Sequence, residues 1–148
     1  MKVDRYHLKA DDTLRVFEFI SVGPKGEISK IIHFQATHTP GLYNLAFGDK
    51  HLTTGEIDDL AISNNGDTDK VLATVVTALY IFLNKNPEAL IYATGSTPAR
   101  TRLYRIGITR FYEEIKQDFF LFGQIDKQFY EFEIGKEYEG FLAQRKIE

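Results

Sequence analysis

Residues 89–98 have the sequence Ala-Leu-Ile-Tyr-Ala-Thr-Gly-Ser-Thr-Pro. The first six residues form a compact apolar run, which is typical of a buried central strand. Gly95 indicates a turn, and Thr97 is suited to cap a helix that follows. Pro98 fits the first helical position, because the first N–H groups of a helix have no partner within it. The stretch therefore predicts a central strand that passes directly into a helix.

Helical periodicity is found on both sides of this stretch. Upstream, apolar residues recur at helical spacing at Val71, Leu72, Val75, Val76, Leu79, Phe82 and Leu83. Asp67 or Thr68 is suited to cap this first helix, and Asn86-Pro87 is expected to end it. In the second helix the apolar stripe comprises Leu103, Tyr104, Ile108, Phe111 and Ile115. Gly107 is expected to weaken or bend that helix.

Strand patterns occupy most of the remaining chain. The predicted strands are 16–21, 28–37, 42–47, a short one at 59–63, 119–125, 129–134 and 138–144. Gly23-Pro24-Lys25-Gly26 predicts a hairpin between the first two, and Gly135-Lys136 predicts a closing hairpin between the last two. We therefore expect one α+β domain over residues 1–148, in the order β-β-β-(β)-α-β-α-β-β. It would have a single mixed, mostly antiparallel sheet and two main helices.

Composition excludes several classes of function. The chain has 148 residues and no cysteine, so disulfides, thiolate metal sites and cysteine nucleophiles are excluded. Charged residues within the first 20 positions leave no apolar core for a signal peptide, and no run approaches the roughly 20 apolar residues of a membrane helix. We expect a cytoplasmic protein with no membrane partner.

A local excess of arginine makes the turn at 95–97 a candidate anion site. Four of the seven arginines lie within 11 residues, although the net charge is −3. Backbone N–H groups and the positive end of the dipole at a helix N-terminus attract anions, and arginine grips phosphate or carboxylate with two hydrogen bonds. The predicted ligand-binding residues are Gly95, Ser96, Thr97, Arg100, Arg102 and Arg105. The alternative is an ordinary connector with a solvated arginine face. The spacing matches neither a Walker loop nor a dinucleotide fingerprint.

Two resemblances accompany this turn. Residues 95–105, Gly-Ser-Thr-Pro-Ala-Arg-Thr-Arg-Leu-Tyr-Arg, together with 43–49, 64–67 and 70–75, resemble an uncharacterised family of about 150-residue proteins from Bacteroidota. This domain of unknown function covers nearly the whole chain and implies no activity.

The late element order, together with residues 103–108, is similar to the second half of GNAT-type N-acetyltransferases. That resemblance implies acetyl-coenzyme A as cofactor and Tyr104 as a general acid. The chain departs from the family because Gly107 follows Tyr104 by three positions instead of four. Residues 64–69, Asn-Asn-Gly-Asp-Thr-Asp, also stand where the family has its pyrophosphate loop, and two carboxylates there would repel a pyrophosphate.

The remaining residues predict no metal site, and they do not determine what the protein binds. His33, His38, Asp49 and His51 match no metal-ligand spacing, so no metal is expected. A small anionic ligand with no cofactor is the first hypothesis. The alternatives are a divergent acyltransferase, or a regulatory protein with a protein partner, as in a toxin–antitoxin pair. The mild net charge disfavours nucleic acid, and whether the protein is an enzyme stays open.

Overall fold

The computed structural model describes residues 3–58, 64–95 and 97–146. Within these residues the chain forms nine strands and three helices, in the order β1 (Lys9–Ala10), β2 (Val16–Gly23), β3 (Gly26–Ala36), β4 (Leu42–Lys50), β5 (Ile57–Asp58), α1 (Thr68–Lys85), β6 (Leu90–Ala93), α2 (Pro98–Arg110), α3 (Tyr112–Asp118), β7 (Phe119–Ile125), β8 (Gln128–Glu131) and β9 (Gly140–Arg145). The strand predicted at 59–63 lies outside the described residues.

All of these strands belong to one open sheet. Its order is β1-β2-β3-β4-β6-β9-β7-β8, with β5 beside β4. β4 and β6 run parallel, and the other pairs whose register is described run antiparallel. The α+β class and the mostly antiparallel mixed sheet are confirmed. β1, β5 and α3 are additional elements, and α3 arises because the helical chain breaks at Phe111.

The predicted closing hairpin at the end of the chain is wrong. β8 and β9 do not pair with each other, and each pairs with β7. The hairpin forms one connection earlier, because Asp126 and Lys127 both adopt positive φ, 49° and 66°, as in the two-residue turns that join adjacent antiparallel strands. Alternating apolar residues predict that a segment forms a strand, but they do not show which other strand it pairs with.

The chain divides into two compact units. The first comprises Met1–Phe34 and Ala46–Phe82. Its β2–β3 hairpin is paired from Val16 opposite His33 to Gly23 opposite Gly26, as predicted. The predicted apolar stripe of α1 is buried apart from half-buried Leu79. Phe34 and Phe82 stack with ring centroids 4.4 Å apart, so α1 packs on the face of β3.

A buried ion pair lies among the strands of the first unit. The Lys30 ammonium of β3 donates to the Asp49 carboxylate of β4. Only 2% of Lys30 and 7% of Asp49 is exposed. Each charge depends on the other, because an unpaired charge in such surroundings is very costly.

A polar network holds the start of α1. The Asp67 carboxylate accepts hydrogen bonds from the Tyr6 hydroxyl at 2.6 Å and the Ser21 hydroxyl at 2.5 Å. The amide of buried Asn65 donates to Ser21. Burial, followed by the hydrogen bond to Asp67, raises the pKa of the Tyr6 hydroxyl, which keeps it a donor. The Asp67 carboxylate at the start of α1 is therefore held by hydrogen bonds within the chain.

His33 should make the stability of the protein depend on pH. Burial lowers the pKa of its imidazole, Asp11 opposes that shift and Arg15 adds to it. Below about pH 6.5 the unfolded chain then binds a proton more readily than the folded chain, so stability present above that pH is lost as the pH falls. Urea unfolding between about pH 8 and pH 5 should show a steeper loss for the wild type than for His33→Gln. Equal pH profiles for the two proteins would contradict this assignment.

The second unit comprises Gln35–Leu45 and Leu83–Glu148. β6 pairs with β4 on one side and with β9 on the other, so the predicted central strand is confirmed. β9 pairs in turn with β7. The buried core of this unit comprises Leu45, Leu83, Ala89, Ile91, Ala93, Tyr104, Phe111, Ile115, Phe119, Leu121, Phe132, Tyr138, Phe141 and Ala143. This packing holds α2 and the segment before β9 against the same part of the sheet.

Candidate functional site

The connection from β6 to α2 has the local structure that its residues predict. Thr97 is the N-cap of α2, with extended backbone angles of φ −134° and ψ 158°. Its hydroxyl oxygen accepts a hydrogen bond from the Arg100 N–H at 3.2 Å. Pro98 occupies the first turn, as its missing N–H allows. One of the backbone N–H groups at the start of α2 is therefore already hydrogen-bonded to the helix's own N-cap.

Gly95 is explained by close packing within the chain. A Cβ atom at this position would lie 2.2 Å from the Arg100 Cβ and 2.5 Å from the Thr101 backbone nitrogen. The Gly95 N–H donates to the Thr101 hydroxyl at 3.0 Å, and that hydroxyl donates to the Thr97 carbonyl at 3.3 Å. The turn is folded tightly onto the first turn of α2, and the Gly95 N–H is occupied within the chain.

A cleft of about 700 Å³ opens beside this turn. It is lined by Thr94, Gly95, Thr97, Pro98, Thr101, Arg102, Arg105, Glu137, Tyr138 and Glu139. One wall is the end of β6 with the first turns of α2. The other wall is the segment that leads into β9. The Thr94 hydroxyl joins the two walls by donating to the Glu139 carbonyl at 2.8 Å.

The two arginines of the cleft are available to a ligand. Arg102 is exposed and Arg105 is half-buried. In the described part of the chain, neither guanidinium forms an ion pair or hydrogen bond. Guanidinium groups on successive turns of one helix lie on the same face, so both can reach one ligand.

Two carboxylates in the opposite wall balance this charge. Glu137 and Glu139 are both exposed, and a Glu139 carboxylate oxygen accepts a hydrogen bond from the Asp126 N–H at 2.9 Å. With two arginines and two glutamates the lining has no net formal charge. The arginines belong to one wall and the glutamates to the other, so one side of the cleft is positively charged and the opposite side is negatively charged.

The predicted site residues are brought together only in part. Gly95, Thr97, Arg102 and Arg105 line the cleft, whereas Ser96 lies outside the described residues. Arg100 is only 5% exposed and is not among the lining residues. The same holds for Tyr104, the general acid implied by the acetyltransferase resemblance, which is 8% exposed.

The sequence interpretation missed the second wall. Glu137, Tyr138 and Glu139 lie about 40 residues from the turn and reach it because β9 pairs with β6. Tyr138 is held there by Gly123, where a Cβ would lie 2.2 Å from the tyrosine ring. A glycine in strand β7 was the available signal, since a strand glycine often marks a close approach by another group.

The described residues contain neither a cluster of metal ligands nor a membrane-spanning helix. Across 3–58, 64–95 and 97–146, no three His, Cys, Asp or Glu side chains are grouped so that they could hold a metal ion. No helix in those same ranges is long and apolar enough to cross a bilayer.

Comparison with known proteins identifies the family. A family described as "Family of unknown function (DUF6934)" matches residues 2–146. The chain belongs to this family. The match spans both compact units and both walls of the cleft. No curated protein and no solved structure matches the chain.

Proposed function

We propose that this protein binds a small phosphate-bearing or carboxylate ligand in the cleft beside the N-terminus of α2. The observation that carries the proposal is the pair Arg102 and Arg105, which line the cleft without an ion-pair partner in the described part of the chain. A guanidinium offers a planar fork of donors that matches the oxygens of either anion.

The hydroxyl groups of the cleft support the same proposal. Thr97 uses its oxygen as an acceptor for the Arg100 N–H, so its hydroxyl hydrogen is available to an acceptor on the ligand. Thr97 also lies at the positive end of the α2 dipole. An anion held by Arg102 could therefore receive further hydrogen bonds from the helix start.

The charge balance favours a ligand of low net charge. Glu137 and Glu139 offset the two arginines, so a polyanion would meet repulsion from the opposite wall. A carboxylate whose other end carries hydroxyl or ammonium groups fits both walls. We therefore rank carboxylates above multiply charged phosphates, within the same proposed site.

Titration with 4-aminobutyrate, a carboxylate whose other end carries an ammonium group, and with inorganic phosphate tests the proposal. Each probe is added to the full chain and followed by two-dimensional NMR, with shifts expected at Thr97, Arg102 and Arg105. Arg102→Gln and Arg105→Gln should each weaken binding about tenfold or more, because each removes a charged hydrogen-bond donor.

Arg110→Gln is the matched control. It makes the same substitution on an exposed arginine of the same helix that does not line the cleft, so it should leave the affinity unchanged. The proposal fails if neither probe binds at about 10 mM, or if all three variants bind as the wild type does.

A further inference from the structure

We propose that two copies of this chain associate by antiparallel pairing of β8 with β8, around a two-fold axis at Phe129. The pairing would join two sheets edge to edge, as in β-augmentation. It concerns the second unit alone and is independent of the proposed ligand.

The outer edge of β8 is open in the described part of the chain. Among the described strands, β8 is the last of the sheet and pairs with β7 alone. All four of its residues are exposed, and Phe129 and Tyr130 retain 43% and 49% of their accessible surface. Proteins usually protect such an edge by keeping it short or by placing a proline, a bulge or charged residues on it. β8 has four residues, Gln-Phe-Tyr-Glu, with no proline or lysine, and its two central side chains are aromatic.

The backbone of β8 presents its unused groups at Phe129 and Glu131. In antiparallel pairs, residues that exchange hydrogen bonds alternate with residues that do not. The Phe132 N–H donates to the Leu121 carbonyl at 3.0 Å, which sets the phase of this alternation. Tyr130 and Gln128 then bond to β7, and the N–H and C=O groups of Phe129 and Glu131 face outward.

Charge complementarity favours a second copy of this chain as the partner, and it favours one register of the paired strands. A two-fold axis at Phe129 places Phe129 opposite Phe129 of the partner subunit. The same register brings Lys127, the turn residue that directly precedes β8, to the level of Glu131 of the partner subunit, and the symmetry makes this contact twice. Lys127 and Glu131 are both exposed, and neither has an ion-pair partner within residues 3–58, 64–95 and 97–146.

The neighbouring register is less favourable. An axis at Tyr130 would place Phe129 opposite the partner's Glu131, an apolar group against a charge. It would also direct Lys127 to the partner's Glu133, a residue already paired with Lys136 within its own chain. The axis at Phe129 matches aromatic with aromatic and cation with anion.

A charge-swap series tests the pairing. Analytical ultracentrifugation over a concentration series should show a monomer–dimer equilibrium for the wild type. Lys127→Glu and Glu131→Lys should each weaken the dimer about tenfold, because two attractive contacts become repulsive. The double variant Lys127→Glu/Glu131→Lys should restore the wild-type affinity. Glu133→Lys, the neighbouring control, should leave the affinity within about twofold.

A backbone variant separates strand pairing from charge alone. Glu131→Pro removes an outward N–H and no bond to β7, so the fold should persist while dimerisation falls well below that of Glu131→Ala. A wild type that stays monomeric to about 1 mM overturns the proposal. So does a double variant that fails to recover, a rescue by Glu133→Lys of the Lys127→Glu variant, or equal dimerisation of the proline and alanine variants.

Discussion

Gly95→Ala is expected to destabilise the protein by about 3 kcal/mol, because the turn has no space for a methyl group. The added Cβ would lie 2.2 Å from the Arg100 Cβ and 2.5 Å from the Thr101 nitrogen, and both belong to the first turn of α2. Relief requires α2 to move away from β6, which breaks the hydrogen bond from the Gly95 N–H to Thr101. Urea or thermal unfolding measures the loss.

Gly135→Ala separates this steric cost from the cost of backbone strain. Gly135 has φ +91° and nothing within 4 Å of a built Cβ, so alanine there should cost about 1–2 kcal/mol from conformation alone. The steric account fails if Gly95→Ala is no more destabilising than this control. Because Thr97 caps α2 and Arg102 lies within it, Gly95→Ala should also reduce the carboxylate binding proposed for the cleft.

Asp49→Leu is expected to cost about 3–5 kcal/mol, since it removes the carboxylate with which the buried Lys30 ammonium forms an ion pair. Lys30 is the more deeply buried partner, with 2% of its surface exposed. Its stem lies on the strand face that packs against α1, so it cannot reach solvent without disturbing the core. Chemical denaturation of the full chain is the appropriate measurement.

The double variant Lys30→Met/Asp49→Leu should recover most of that loss. Replacing a buried ion pair by apolar residues of similar volume is often neutral, because the desolvation cost of both charges disappears together. A double variant as unstable as Asp49→Leu would show that packing around Lys30, and not the buried charge, dominates. Lys30→Met, Asp49→Leu and the double variant form one thermodynamic cycle with the wild type.

The parts of the site that the sequence predicted are those set by neighbours along the chain. Thr97 and Pro98 start a helix through local hydrogen bonding and a preset φ, so the boundary of α2 could be located without coordinates. Arg102 and Arg105 then share a face because helix geometry places them there. Arg100, equally close in sequence, turns inward and is buried.

The parts that were missed depend on which strands become neighbours. Alternating apolar residues identify 129–134 and 138–144 as extended, yet they do not determine the pairing partner. The positive φ angles at Asp126 and Lys127 decide it, and neither residue is the glycine or asparagine that would have predicted such a turn. With β9 placed beside β6, Glu137 and Glu139 become the second wall of the cleft, which no local pattern could indicate.

The position of β9 also constrains when the second unit can assemble during protein synthesis. β9 hydrogen-bonds to β6 on one side and to β7 on the other, so those two strands cannot be joined before residue 145 has been made. Until then a nascent chain carries two incomplete sheets with open, aromatic-rich borders, the kind of surface that aggregates or recruits chaperones. Among the strands of the second unit, β9 is thus the last to be synthesised and the one that joins β6 to β7.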